Sequence, residues 1–145
     1  MLNDKRVADA ALLVARIMLA AIFVMGGFGK MMNYAGAAAY MDKSGIPSIL
    51  LPLVILTELG GGLLILTGFQ TRLAAFLLAG FTLLSGLLVH FHLSDSGQMI
   101  HFWKNVAITG GFCVLFAAGP GLWSLDGWRS RLAFARLPRS GQQPT

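Results

Sequence analysis

Charge is what this 145-residue chain has least of. Asp, Glu, Lys and Arg together make up 12% of it, about half the share of an ordinary soluble domain, which excludes a water-covered globular surface. Cysteine is reduced to Cys113, so the chain holds neither a disulfide framework nor a dithiol exchange centre of its own. A lone thiol in an apolar run packs as a small hydrophobe. Haem-attachment signatures and Gly-rich nucleotide fingerprints are missing too. Electron transfer needs a redox group, so the chain is not a complete oxidoreductase alone, at most a subunit of one. No ten-residue segments with a period of two occur, which excludes an outer-membrane barrel.

What remains is apolar: 56% hydrophobic residues and a mean hydropathy of +0.71. Apolar runs of about 17 to 21 residues recur, the length that crosses a hydrocarbon layer of ~30 Å. Helices satisfy their own backbone in lipid. The expected fold is therefore all-α, an integral membrane four-helix bundle with spans at about 10–29, 49–69, 73–90 and 105–122. Pro120 and its flanking glycines stop the last span. Residues 1–127 form one membrane domain and 128–145 a basic tail. In that tail Trp128, Leu132 and Phe134 mix with four arginines, which suits a segment lying on an anionic leaflet, and Pro138 onward is expected to be disordered.

Four spans put both termini on one side. Net charge +5 and a pI of 10.0 would point to nucleic acid in a soluble chain, but these charges flank apolar runs, and no nucleic-acid partner is expected. Lys5, Arg6, Arg16, Arg72, Arg129, Arg131, Arg136 and Arg139 fall on the side of the termini, against Lys30, Lys43 and Lys104 on the other. The positive-inside rule then makes both termini cytoplasmic. Arg16 interrupts the first apolar run, and the small residues of "AGAAAY" lie far past its end. The first span reads as an uncleaved anchor rather than a signal peptide.

Glu58 is the anomaly. It sits in "TELGGGLLILTGFQTR", about nine residues and ~13 Å from the outer end of its span. An acid at that depth faces protein or water and has a partner. Arg16 is the expected partner, ~9 Å above the inner edge of the first span, with a fork that fits a carboxylate. Arg16 and Lys30 share one helical face and lie fourteen residues apart, as do Glu58 and Arg72, which hints at an old duplication. The neighbouring glycines let helices approach closely, or leave room for a flat ligand.

At the outer end, "HFWKNVAITGG" brings Lys104 and Asn105 to the start of the fourth span. With Lys30 they make a candidate cationic rim, the alternative being lysines that snorkel to water. Arg16, Glu58, Lys30, Lys104 and Asn105 are thus the candidate intramembrane polar site, for a ligand or as ion pairs. His90, His92 and His101 are candidate proton relays or contacts to a quinone oxygen. Two histidines two apart diverge on a helix, and with only His101 and Asp95 nearby no metal site is expected.

The segments "ARIMLAAIFVMGGFGK", "GIP", "TELGGGLLILTGFQTR", "FWKNVAITGG" and "GPGLWSLD", in that order, resemble the DoxX family of small bacterial membrane proteins. The match spans residues 15–126 and includes Arg16, Gly26, Lys30, Gly45, Pro47, Glu58, Gly61, Gly68, Thr71, Arg72, Lys104, Asn105, Gly111 and Asp126. The resemblance implies a multi-pass protein of the bacterial inner membrane. It also implies a link to quinone chemistry, as an accessory or quinone-interacting subunit of a membrane redox complex, with no covalent cofactor and a bound quinone at most. No catalytic residue carries over. The partners expected are the lipid bilayer and a redox-complex protein or a second copy of the chain. A scaffold without ligand and a small proton-coupled transporter built on Glu58 are the alternatives.

Overall fold

The computed structural model describes residues 2–91 and 95–135. All secondary structure among them is helical, without strands, and four helices are long and apolar enough to cross a membrane. The first, α1 (Leu2–Met32), has Asp4 in its first turn and Lys30 in its last, each complementing the helix dipole. A short α2 (Tyr34–Lys43) follows, capped by Asn33, whose side chain accepts from the Gly36 N–H. Gly45 at φ 76° ends it.

The second span, α3 (Ser48–Thr67), opens with a 3₁₀ turn at Ser48–Leu50 and contains a π-helical turn at Leu56–Gly60. It stops at Gly68, φ 69°, where the Phe69 N–H reaches back to the Leu64 carbonyl in a Schellman-type closure. The third span, α4 (Thr71–His90), ends in a second π-helical turn, Gly86–His90. The fourth, α5 (Ser96–Ala118), is capped by Asp95, which accepts from the N–H groups of Gly97 and Gln98. It begins nine residues before the start read from hydropathy, because this cap carries the helix through the polar stretch at the membrane surface. It ends at Gly119, φ 81°, ahead of Pro120. After the 119–124 loop comes α6 (Leu125–Ala135). Residues 136–145, including Arg136, Arg139 and the segment from Pro138, lie outside the described part.

Inside, Phe23, Ile65, Leu78, Phe112 and Leu115 make the core with three alanines. Phe23 and Phe112 hold their rings 5.3 Å apart, a favourable aromatic separation. Outside, Met18, Phe76, Leu77 and Val114 are among many large apolar residues left exposed, an apolar belt that only lipid or another protein would cover.

Helices α1 and α3 run antiparallel in a register that glycines set. A Cβ on Gly27 would stand 2.9 Å from the Leu59 backbone nitrogen, and one on Gly62 would stand 3.1 Å from that of Val24. Both contacts are backbone against side-chain-free surface, the close approach that holds helices together in lipid. On the other side, Gly61 makes room for Leu78 of α4, and Gly86 for Asn105 of α5.

Candidate functional site

The α1–α3 register decides which charges meet. Gly27 lies against Glu58 and Leu59, and moving down α1 moves the contact up α3, so Arg16 comes to lie against Gly68. Arg16 stands eleven residues from the level of Glu58, ~17 Å along the axis, beyond the reach of any side chain. The expected Arg16–Glu58 pair does not form. Lys30 pairs with Glu58 instead, Nζ to Oε2 at 2.6 Å.

The Glu58 side chain is 12% exposed and that of Lys30 32%. A charge-assisted hydrogen bond of this length is strong, and removing Lys30 would leave the largely buried Glu58 carboxylate without its counter-charge. Gly26 supplies the space: a Cβ there would stand 3.3 Å from Glu58 Oε2 and 3.7 Å from Lys30 Nζ. Glu58 itself occupies the π-helical turn of α3, an irregularity that recurs at functional sites.

Lys30 and Glu58 stand on the wall of a cavity of about 860 Å³, within the size range of small-molecule sites. It is bordered by the ends of α1 and α4, the starts of α3 and α5, and α2, which the buried Met41 anchors. Both π-helical turns border it, one through Thr57 and Glu58, the other through Leu88, Val89 and His90. Most of the lining is apolar and includes Ile22, Phe23, Leu53, Val54 and Ile108.

Four of the five residues expected at an intramembrane polar site line this cavity: Lys30, Glu58, Lys104 and Asn105. Asn105 is half-buried, and its carboxamide makes no hydrogen bond to a described residue. Lys104 is exposed, its Nζ 3.5 Å from His101 Nδ1. Of the candidate relays, His90 borders the cavity and shares a hydrogen bond with Gln98 through Nδ1. His101 is exposed, its ring 5.3 Å from that of His90. His92 lies outside the described residues. Asn33, Tyr40 and Thr57 also line the cavity and were not singled out in the sequence, the first two falling between the spans read from hydropathy. The Asn33 cap ahead of an alanine run was the available signal.

Arg16 belongs to the other end. It is 1% exposed, and its two terminal nitrogens donate to the carbonyls of Pro120 (3.1 Å) and Trp123 (2.8 Å). Its Nε is buried without a hydrogen-bond partner among the described residues. Gly68 is required there, because a Cβ would collide with Arg16 Nη1 and Ser124 Cβ. Asp126 completes the arrangement. Its carboxylate accepts from the N–H groups of Gln70 and Thr71 and from the Thr71 hydroxyl, while its own N–H donates to the Gly68 carbonyl. Asp9 accepts from the Leu122 N–H. Together these bonds tie the 119–124 loop and the α3–α4 turn to α1.

A family model described as DoxX matches residues 11–91. The chain is 47% identical over 122 residues to the inner membrane protein YqjF of Escherichia coli K12, covering 84% of this chain and 94% of YqjF. It is 40% identical over 122 residues to the inner membrane protein YphA of the same organism, covering 79% of this chain and 87% of YphA. No solved structure matches significantly.

Proposed function

This chain belongs to the DoxX family of inner-membrane proteins, and from that premise we propose that it is a membrane-embedded binding subunit for a quinone-type ligand, accessory to a redox complex. The observation that carries the reading is the cavity of about 860 Å³ with a polar edge at Lys30, Glu58, Asn105 and His90 and apolar walls elsewhere. Those are the demands of a flat head group with polar oxygens and a hydrocarbon tail. Lys30 and the Asn105 carboxamide are the donors for the ring oxygens. Glu58 holds the Lys30 ammonium in place, and His90 is the group at the cavity edge suited to proton exchange with the outside. The ligand supplies the redox chemistry when bound; the chain binds and orients it.

Lys5, Arg6, Arg72, Arg129 and Arg131 gather at the end opposite the cavity, which favours cytoplasmic termini and a cavity near the outer leaflet. A second reading has one specific observation behind it. Lys30 and Glu58 already satisfy each other at 2.6 Å, so the pair would serve a scaffold that only fixes helix register.

The deciding experiment is mass spectrometry of quinones and lipids extracted from gently purified protein, compared with Glu58→Gln and Asn105→Ala. A stoichiometric quinone lost from both variants supports the binding subunit. Asn105→Ala is the cleaner probe, since it leaves the ion pair intact. Quinone-free protein in every preparation, with only Glu58→Gln less stable, would leave the scaffold.

A further inference from the structure

A second cleft, of about 650 Å³, opens at the other end of the bundle between the α3–α4 turn, the 119–124 loop and α6. It shares no residue with the Lys30–Glu58 cavity. Arg72, Arg129 and Arg131 line it, and none of the three forms an ion pair among the described residues. Two of the three have defined neighbours. The Arg129 guanidinium carbon stands 5.5 Å from the centre of the Phe69 ring, a cation–π distance. Arg72 lies against Gly119, whose added Cβ would come within 3.3 Å of its Nη2.

One acid borders the cleft, Asp126, and it is already engaged. Both of its carboxylate oxygens accept bonds from the Gln70–Thr71 segment, and it lies within electrostatic reach of Arg16. The cleft therefore gathers three arginines without an ion pair among the described residues around one satisfied carboxylate. Like charges brought together this way repel unless an anion joins them. A guanidinium fork fits two phosphate oxygens at once. Leu122, which lines the cleft, is exposed, as are Trp123 beside it in the chain and Trp128 and Leu132 of α6, apolar and aromatic residues of the kind that sit at lipid head groups.

We propose that this cleft is a phosphate-binding site for an anionic phospholipid, with the phosphate among Arg72, Arg129 and Arg131 and the acyl chains along these exposed apolar residues. It is a defined site, distinct from the general attraction of a basic tail to an anionic leaflet. A lipid held there would clamp α6 to the α3–α4 turn.

The test is native mass spectrometry of the delipidated full chain titrated with phosphatidylglycerol or with zwitterionic phosphatidylcholine. Wild type is expected to bind one phosphatidylglycerol at least about tenfold more tightly than phosphatidylcholine. Arg129→Gln/Arg131→Gln, both exposed positions, is expected to lose about that factor. Lys5→Gln/Arg6→Gln removes the same charge from exposed positions of α1 and is expected to change binding by less than about twofold. Equal binding of the two lipids, or equal losses from the two double variants, would overturn the proposal. Displacement of phosphatidylglycerol by millimolar inorganic phosphate would make free phosphate, not lipid, the occupant.

Discussion

Lys30 and Glu58 should behave as one unit in a double-mutant cycle, and Arg16 and Glu58 should not. The perturbations are Glu58→Gln, Lys30→Met, Arg16→Gln and the two pairs that contain Glu58→Gln. Breaking a fully buried pair by removing one partner costs about 3–5 kcal/mol. Lys30 is a third exposed and can turn its ammonium toward water, so the loss here is smaller. Polar contacts between membrane helices reach about 1.7 kcal/mol at most in such cycles. A coupling of about 1–1.5 kcal/mol between Lys30 and Glu58 is therefore expected, high in that range because of the 2.6 Å contact. For Arg16 and Glu58, ~17 Å apart along the axis with no shared partner, the two losses should add to within about 0.5 kcal/mol. Reversible unfolding in mixed micelles reads both. Coupling of Glu58 with Arg16, or none with Lys30, would refute the register drawn from Gly27 and Gly62.

The other end of the bundle supplies two further tests. Arg16→Gln leaves the Pro120 and Trp123 carbonyls short of their donors and should cost about 2–4 kcal/mol, read as a lower melting temperature and faster proteolysis in the 119–124 loop. Asp126→Ala removes the acceptor for Gln70 and Thr71 at the start of α4 and should cost about 1–2 kcal/mol; a neutral result would mean that water replaces the carboxylate. Between the ends, Gly27→Ala drives a Cβ into the Leu59 backbone and should cost about 1–3 kcal/mol, measured in the same unfolding assay.

The helical fold was legible because hydropathy over twenty residues is a strong signal, and no packing detail is needed to read it. The pairing was not, because counting depth from the ends of each span accumulates the error of both ends. Helix α1 runs on to Met32, which brings Lys30 to the level of Glu58. A better ruler was present in the sequence. Setting the Gly26–Gly27 patch antiparallel against Gly60–Gly62 places Lys30 beside Glu58 without any estimate of depth. The Asp95 cap with Gln98 three residues on was also a readable start for α5. The partners of Arg16 were not readable, since they are backbone carbonyls and leave no trace in side-chain pattern. Nor were the π-helical turns, which arise from packing and not from propensity.

Whether the cavity exists for a ligand can be asked through Gly29, two residues from Gly27. A Cβ on Gly29 would meet nothing within 4 Å, although the residue lines the cavity. Gly29→Leu therefore starts its side chain in open space, and it replaces glycine in a helix, where glycine itself costs about 0.5–1 kcal/mol. A scaffold whose ion pair only sets register should be stabilised or unchanged by this substitution and keep every other property. A binding subunit should also keep its stability, but lose its co-purifying ligand, because Gly29 lines the cavity and a leucine there takes up volume that the ligand needs. Loss of stability comparable to Gly27→Ala would refute the cavity itself, since it would mean that Gly29 already packs against something. A register device needs no empty space beside it. The open volume around Gly29 and an Asn105 carboxamide with no hydrogen bond among the described residues are what set the ligand reading ahead of the scaffold.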